Sequence, residues 1–244
     1  MTRSQSARDI PGGHRIAIEI DAGAERVPGI LLVPDPPSDQ EHGFGAAVLL
    51  HGFTSRKERM TEGIGRALLA RGMASLAIDL PLHGSREGNL ESKSVRNPLQ
   101  IVGAWRLAIA ETRQALDHLA SLPGTDPRRL AIVGYSLGSF IGVTVAADDR
   151  RVSALALIAG GDLPERTPFV ALVRQVADPL RAIRKMAGRP VLMVNGRYDR
   201  TVQAEHAERL FAAAGEPREL YWYDGGHWPP PVAIGYAADW LGSR

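Results

Sequence analysis

The 244-residue chain contains no cysteine, which excludes disulfide scaffolds, thiolate metal sites, dithiol redox chemistry and a cysteine nucleophile. It carries no excess of either charge. Lys and Arg number 29 against 27 Asp and Glu, so basic clusters such as Arg128-Arg129 and Arg150-Arg151 read as solvated surface and no nucleic-acid partner is expected. Long apolar runs are missing as well: Val152 to Ala159 falls far short of the roughly 20 residues that cross a bilayer. The opening MTRSQSARDI lacks the apolar core of a secretion signal. These absences predict a cytoplasmic protein with no membrane partner. There is no Gly-rich phosphate loop, no metal-ligand spacing and no repeat of 20 to 50 residues, so no cofactor is expected and solenoids and propellers are set aside.

Apolar residues at 44% and charged residues at 23% suit a packed globular chain, and the length suits a single α/β domain over residues 1–244. His14 to Asp21 and Arg26 to Val33 alternate apolar and polar positions, which predicts two antiparallel edge strands turning around Ala22 to Glu25. Continuously apolar runs follow at Ala46–Leu50, Ala74–Ile78, Leu130–Val133, Ala154–Ile158 and Val191–Val194, as expected of parallel strands covered on both faces. Glu219–Tyr223 adds a last strand. Segments with helical spacing lie between them: Glu58–Arg71, Pro98–Leu122, Gly138–Ala147, Pro168–Ala187, Thr201–Ala214 and Pro229–Leu241. The alternation predicts a mostly parallel eight-stranded sheet with helices on both faces, and it places any site at the carboxyl ends of the strands.

Those strand ends carry chemistry. Gly134-Tyr135-Ser136-Leu137-Gly138 stands between an apolar run and a helical segment, where a G-x-S-x-G forms a sharp turn that exposes the Ser136 hydroxyl. A serine hydroxyl near neutral pH needs a base and a group to orient that base. Asn195-Gly196-Arg197-Tyr198-Asp199 and Asp224-Gly225-Gly226-His227 end the last two strands and supply Asp199 and His227. Asp162 and Asp224 compete with Asp199 as the acid, although Asp224 is only three positions from His227. Of the other histidines, His14 and His42 precede the core, His118 and His206 fall inside helical segments, and His51 and His83 precede the serine in the chain. Acyl transfer also needs two N–H donors for the oxyanion, expected from Leu137 and from Phe53 in His51-Gly52-Phe53-Thr54.

With HGF, DLPLHG, GYSLG, NGRYD and DGGH in this order, the chain resembles the α/β-hydrolase fold family over nearly its whole length. Within that family it is similar to serine esterases of the dienelactone-hydrolase and prolyl-oligopeptidase kinds. The resemblance implies Ser136 as nucleophile, His227 as base and Asp199 as acid, with Phe53 and Leu137 as oxyanion donors. It further implies a shaping role for the Asp79–Ser85 segment beside the oxyanion hole.

The stretch Gly160–Arg189 leaves room for a small cap built on one main helix. Leu163, Phe169, Val170, Leu172, Val173 and Val176 within it are candidate acyl-pocket residues, although their helical spacing also fits plain core packing. Tyr135, Trp228 and His83 are the candidate substrate-binding side chains. The expected reaction is hydrolysis of a small-molecule carboxylic ester, short-chain or small aryl, by a monomer or homodimer. Thioester or amide hydrolysis shares the mechanism, and a non-catalytic binding protein is the alternative of a different class.

Overall fold

The computed structural model describes residues 2–21, 26–35, 43–86 and 97–244. Among them nine strands form one sheet in the order β1-β2-β3-β5-β4-β6-β7-β8-β9: β1 (Thr2–Ile10), β2 (Gly13–Asp21), β3 (Arg26–Pro34), β4 (Phe44–Leu50), β5 (Ala74–Ile78), β6 (Thr125–Tyr135), β7 (Val152–Ile158), β8 (Val191–Gly196) and β9 (Arg218–Tyr223). β1 pairs antiparallel with β2, β2 with β3 and β3 with β5, while β4 to β9 run parallel.

The count exceeds the expected eight by β1. Its residues Ser6, Ala7, Arg8 and Asp9 are exposed, so the strand is held by its ladder with β2 and leaves no hydrophobic pattern to read. A register shift at Ser4 and Ser6 together with the charges of Arg8 and Asp9 blunts this outer edge against pairing with another chain. The expected turn at residues 22–25, and His42, lie outside the described residues.

Strand β4 shows how the sheet is held. All seven of its residues are buried, and the side chains alternate between two cores. Val48 and Leu50 face the layer of α3 (Pro98–Ser121), α4 (Leu137–Asp148), α6 (Pro179–Arg184) and α7 (Ala204–Ala213). Ala47 and Leu49 face α1 (Lys57–Met60), the π-helical turn Thr61–Gly65, α2 (Arg66–Leu69) and α8 (Pro231–Gly242).

The cap segment departs from the single helix expected over Pro168–Ala187. It holds α5 (Val170–Val176) and α6, separated at Ala177-Asp178. Asp178 precedes Pro179, is forced into extended backbone, and caps α6 by accepting from the N–H of Arg181. Leu163 and Val173 are buried in the core, and Val170 and Val176 pack against it, so four of the six candidate acyl-pocket residues serve packing. Phe169 and Leu172 are largely exposed.

Candidate active site

Strand β6 ends at Tyr135, and Ser136 follows with φ 50° and ψ −112°, a backbone conformation that side-chain-bearing residues rarely adopt. The surroundings hold it there. The Ser136 N–H donates to the carbonyl of Ile158 at 2.9 Å, and the N–H of Ser139 donates to the Ser136 carbonyl at 2.9 Å. The turn closes tightly enough to require glycine on both sides: a Cβ on Gly134 would meet the Gly138 carbonyl oxygen at 2.4 Å, and one on Gly138 would meet the Leu50 carbonyl oxygen at 2.2 Å.

His227 follows β9 and Asp199 follows β8, and the fold brings both to this turn. Ser136 Oγ lies 2.9 Å from His227 Nε2, and Asp199 Oδ2 lies 2.7 Å from His227 Nδ1. A carboxylate only accepts, so Nδ1 carries the proton and Nε2 presents its lone pair to the serine hydroxyl. Asp199 is itself fixed, because Oδ1 accepts from the N–H groups of Thr201 at 2.6 Å and Val202 at 3.0 Å. The competing acids are engaged elsewhere: Asp162 accepts from Arg174 at 2.8 Å, and Asp224 is exposed and pairs with Arg197 at 3.3 Å. His206 is bonded to Glu165 and His14 to Asp9.

Two N–H groups stand unengaged beside the serine. Leu137 is the first residue of α4, where helix geometry provides no internal acceptor, and Phe53 follows β4 in the neighbouring loop. Neither N–H has an acceptor among the described residues.

A polar support lies beneath Phe53. His51 is buried; its Nδ1–H donates to the Gly52 carbonyl at 2.8 Å and its Nε2 accepts from the Leu80 N–H at 3.0 Å. Burial lowers its pKa to about 4, so the ring is neutral. Asp79 accepts from the N–H and ammonium of Lys57 and from the N–H and hydroxyl of Ser85. Burial alone pushes its pKa up, yet the donors on Lys57 and Ser85 outweigh burial and hold the carboxyl below the usual range. The two groups tie the HGF loop to the segment after β5.

An apolar cavity of about 200 Å³ opens beside the two N–H groups, with Phe53, Leu137, Ile101, Trp105 and His83 in its wall. On the other side lies an open groove of about 760 Å³ that reaches Trp228 and Arg59. Trp228 stacks on Tyr135 with centroids 5.1 Å apart, and the Arg59 guanidinium sits 4.0 Å above the Trp228 ring. Tyr135 is buried and donates its hydroxyl to the His227 carbonyl at 3.2 Å. Arg59 and the α3 face of Ile101, Ala104, Trp105 and Ala108 were not singled out in the sequence. The i, i+3, i+4, i+7 spacing of the latter marks one helix face, but gives no sign of the cavity it meets. Among the described residues no group of three or more His, Asp or Glu side chains is placed to hold a metal ion, and no helix is long and apolar enough to cross a membrane.

The model of the alpha/beta hydrolase family matches residues 47–188, more than half of the chain. The chain belongs to the alpha/beta hydrolase family. The match spans the HGF loop, the serine turn and the cap segment. An uncharacterised protein of Mycobacterium tuberculosis, Rv2307c, is 29% identical over 201 residues, covering 79% of this chain and 66% of its own length. The putative hydrolase YtaP of Bacillus subtilis is 29% identical over 185 residues, covering 70% of this chain and 60% of its own. This alpha/beta hydrolase thus spans just under two thirds of each of these curated relatives. Among solved structures, a cold-adapted esterase from an Arctic intertidal metagenomic library superposes with a TM-score of 0.74 at 22% identity, over 98% of this chain and 97% of that one. At that identity the likeness shows the fold.

Proposed function

We propose that this alpha/beta hydrolase is a serine carboxylesterase acting through an acyl-enzyme on Ser136. The observation that carries the reading is the hydrogen-bonded series Ser136–His227–Asp199, assembled from three strand ends on a strained turn. Ser136 Oγ attacks the acyl carbonyl carbon as His227 Nε2 takes the hydroxyl proton, and Asp199 stabilises the imidazolium. The oxyanion accepts from the N–H groups of Leu137 and Phe53. The bond to the alcohol oxygen breaks as His227 returns its proton to that oxygen; water then repeats the sequence and releases the acid.

The leaving oxygen must lie on the His227 side to receive this proton. The alcohol therefore occupies the groove near Trp228, and the acyl group the apolar cavity beside Phe53 and Leu137. About 200 Å³ is below the roughly 300–1,000 Å³ of pockets for drug-sized ligands, which supports a short acyl group.

The test is hydrolysis of p-nitrophenyl acetate, butyrate and octanoate, with a matched butyryl anilide, by wild type and Ser136→Ala. Expected is turnover of the two short esters above the octanoate and the anilide, falling by at least about a thousandfold in the variant. Short-ester hydrolysis that survives Ser136→Ala sinks the proposal, and preference for the anilide replaces it with amide hydrolysis.

A further inference from the structure

The apolar cavity is walled in part by a side chain with an orphaned polar atom. His83 is 4% exposed, and its Nδ1 lies 2.7 Å from the carbonyl of Pro81. A carbonyl only accepts, so Nδ1 holds the proton and Nε2 carries a bare lone pair. That Nε2 is buried and has no hydrogen-bond partner among the described residues, an uncommon state for a buried acceptor in a folded protein. Burial lowers the pKa of the ring, which keeps it neutral and Nε2 an acceptor near pH 7.

The position of His83 says where a donor would come from. His83 and Phe53 are the two residues that line both the cavity and the groove, so they stand at the junction of the acyl and alcohol sides. The Phe53 ring, 60% exposed, meets the imidazole at a steep angle with centroids 5.6 Å apart, so it packs on His83 where the cavity meets the groove. Of the neighbouring walls, Ile101 and Ile141 present only carbon, while the Trp105 indole, the Thr167 hydroxyl and the N–H groups of Phe53 and Leu137 are donors that do not reach Nε2. None of the described residues donates to Nε2, and a ligand hydroxyl is a donor of the right kind. An ammonium would enter an apolar cavity without a counter-charge, which disfavours it; a neutral hydroxyl meets no such penalty.

We propose that His83 is a specificity-determining residue and that the preferred substrate is an ester of a short hydroxylated acid, its hydroxyl donating to His83 Nε2 while its carbons fill the cavity. The proposal rests on the esterase reading, which puts the acyl group in this cavity.

The experiment compares kcat/KM for methyl butyrate, methyl 2-hydroxybutyrate and methyl 3-hydroxybutyrate in wild type, His83→Phe and His83→Gln. Expected is a preference of about three- to tenfold for one hydroxy ester in wild type, the worth of one hydrogen bond. The preference falls to about one in His83→Phe and partly returns in His83→Gln, whose amide oxygen accepts. No preference in wild type, or one that survives His83→Phe, overturns the proposal. A second measurement separates this outcome from failure of the esterase reading and serves if His83→Phe does not fold. In Ser136→Ala protein labelled with 15N-histidine, methyl 3-hydroxybutyrate or methyl 2-hydroxybutyrate shifts the His83 Nε2 resonance and methyl butyrate does not. Absence of that difference overturns the proposal whether or not any ester is hydrolysed.

Discussion

The Nε2 of His51 accepts the main-chain N–H of Leu80 at 3.0 Å, joining the loop after β4 to the loop after β5 through one neutral imidazole. Since the same ring donates to Gly52 next to Phe53, the placement of a proposed oxyanion donor depends on the protonation state of a residue that takes no part in the chemistry.

Stability should therefore fall in mild acid. The His51 pKa is depressed in the folded chain to about 4 from 6.5, so the unfolded chain binds more protons between these values. The stabilisation is complete above about pH 6.5 and is lost as pH falls toward 4, by up to about 3 kcal/mol from this group. His83, shifted in the same direction by burial, adds to the trend. Urea midpoints at pH 7.5, 6, 5 and 4 measure it, and His51→Gln should flatten the profile; a flat wild-type profile contradicts the account.

Asp199→Asn should reduce ester turnover by about ten-thousandfold with little loss of stability. The amide oxygen can still accept from Thr201 or Val202, but the group facing His227 Nδ1 can then be a donor, and the imidazole loses the tautomer that serves Ser136. Steady-state kinetics and thermal melts on the same preparation decide it. Turnover within tenfold of wild type would assign the orienting role to another acid.

Ser136→Gly should be more stable than Ser136→Ala. At φ 50° and ψ −112° a residue with a Cβ is strained by about 1 kcal/mol or more, and glycine is not. The difference corresponds to roughly 2–4 °C in Tm for a chain of this size. Calorimetry on the two inactive variants measures it without interference from catalysis, and an equal Tm would mean that the turn carries no strain.

Asp79→Ala should destabilise the chain by about 3–5 kcal/mol. The substitution removes the buried carboxylate that the Lys57 ammonium, about nine-tenths buried, donates to at 2.7 Å, and leaves it the partly exposed Glu58 carboxylate and the Ser85 hydroxyl, each at 3.1 Å. Chemical denaturation checks this. A double variant Asp79→Ala with Lys57→Met should recover part of the loss, because the buried ammonium goes with the lysine.

Much of the fold and of the candidate site's composition was legible because strands buried on both faces write themselves as apolar runs, and the candidate residues follow such runs directly. Ser136, Asp199 and His227 each stand within a few residues of a strand end, so the topology rule pointed to these three, and the fold brings them into hydrogen-bonding distance. β1 was not legible: a polar edge strand is held by main-chain pairing, which sequence does not display, and the turn at Pro11-Gly12 was its one local sign. The break at Asp178 was open to reading from Pro179, but the helical spacing around it masked the signal. The cavity was not legible, because it arises where α3, the HGF loop and the segment after β5 meet, and no local pattern encodes the space left between three elements.

Under the proposed esterase reading, the way Asp199 is held bears on how much of the relay must be assembled in each turnover. Its second oxygen stays bound to two N–H groups wherever His227 points, and Ser136 stands on backbone that cannot relax without undoing the turn. The Ser136 hydroxyl and the His227 imidazole keep side-chain torsions, and both are held by the hydrogen bond between them, while the His227 carbonyl is engaged by Tyr135. Under the proposed reading, much of the entropy of aligning the three groups is thus met when the chain folds, and the arriving substrate has little side-chain freedom left to order.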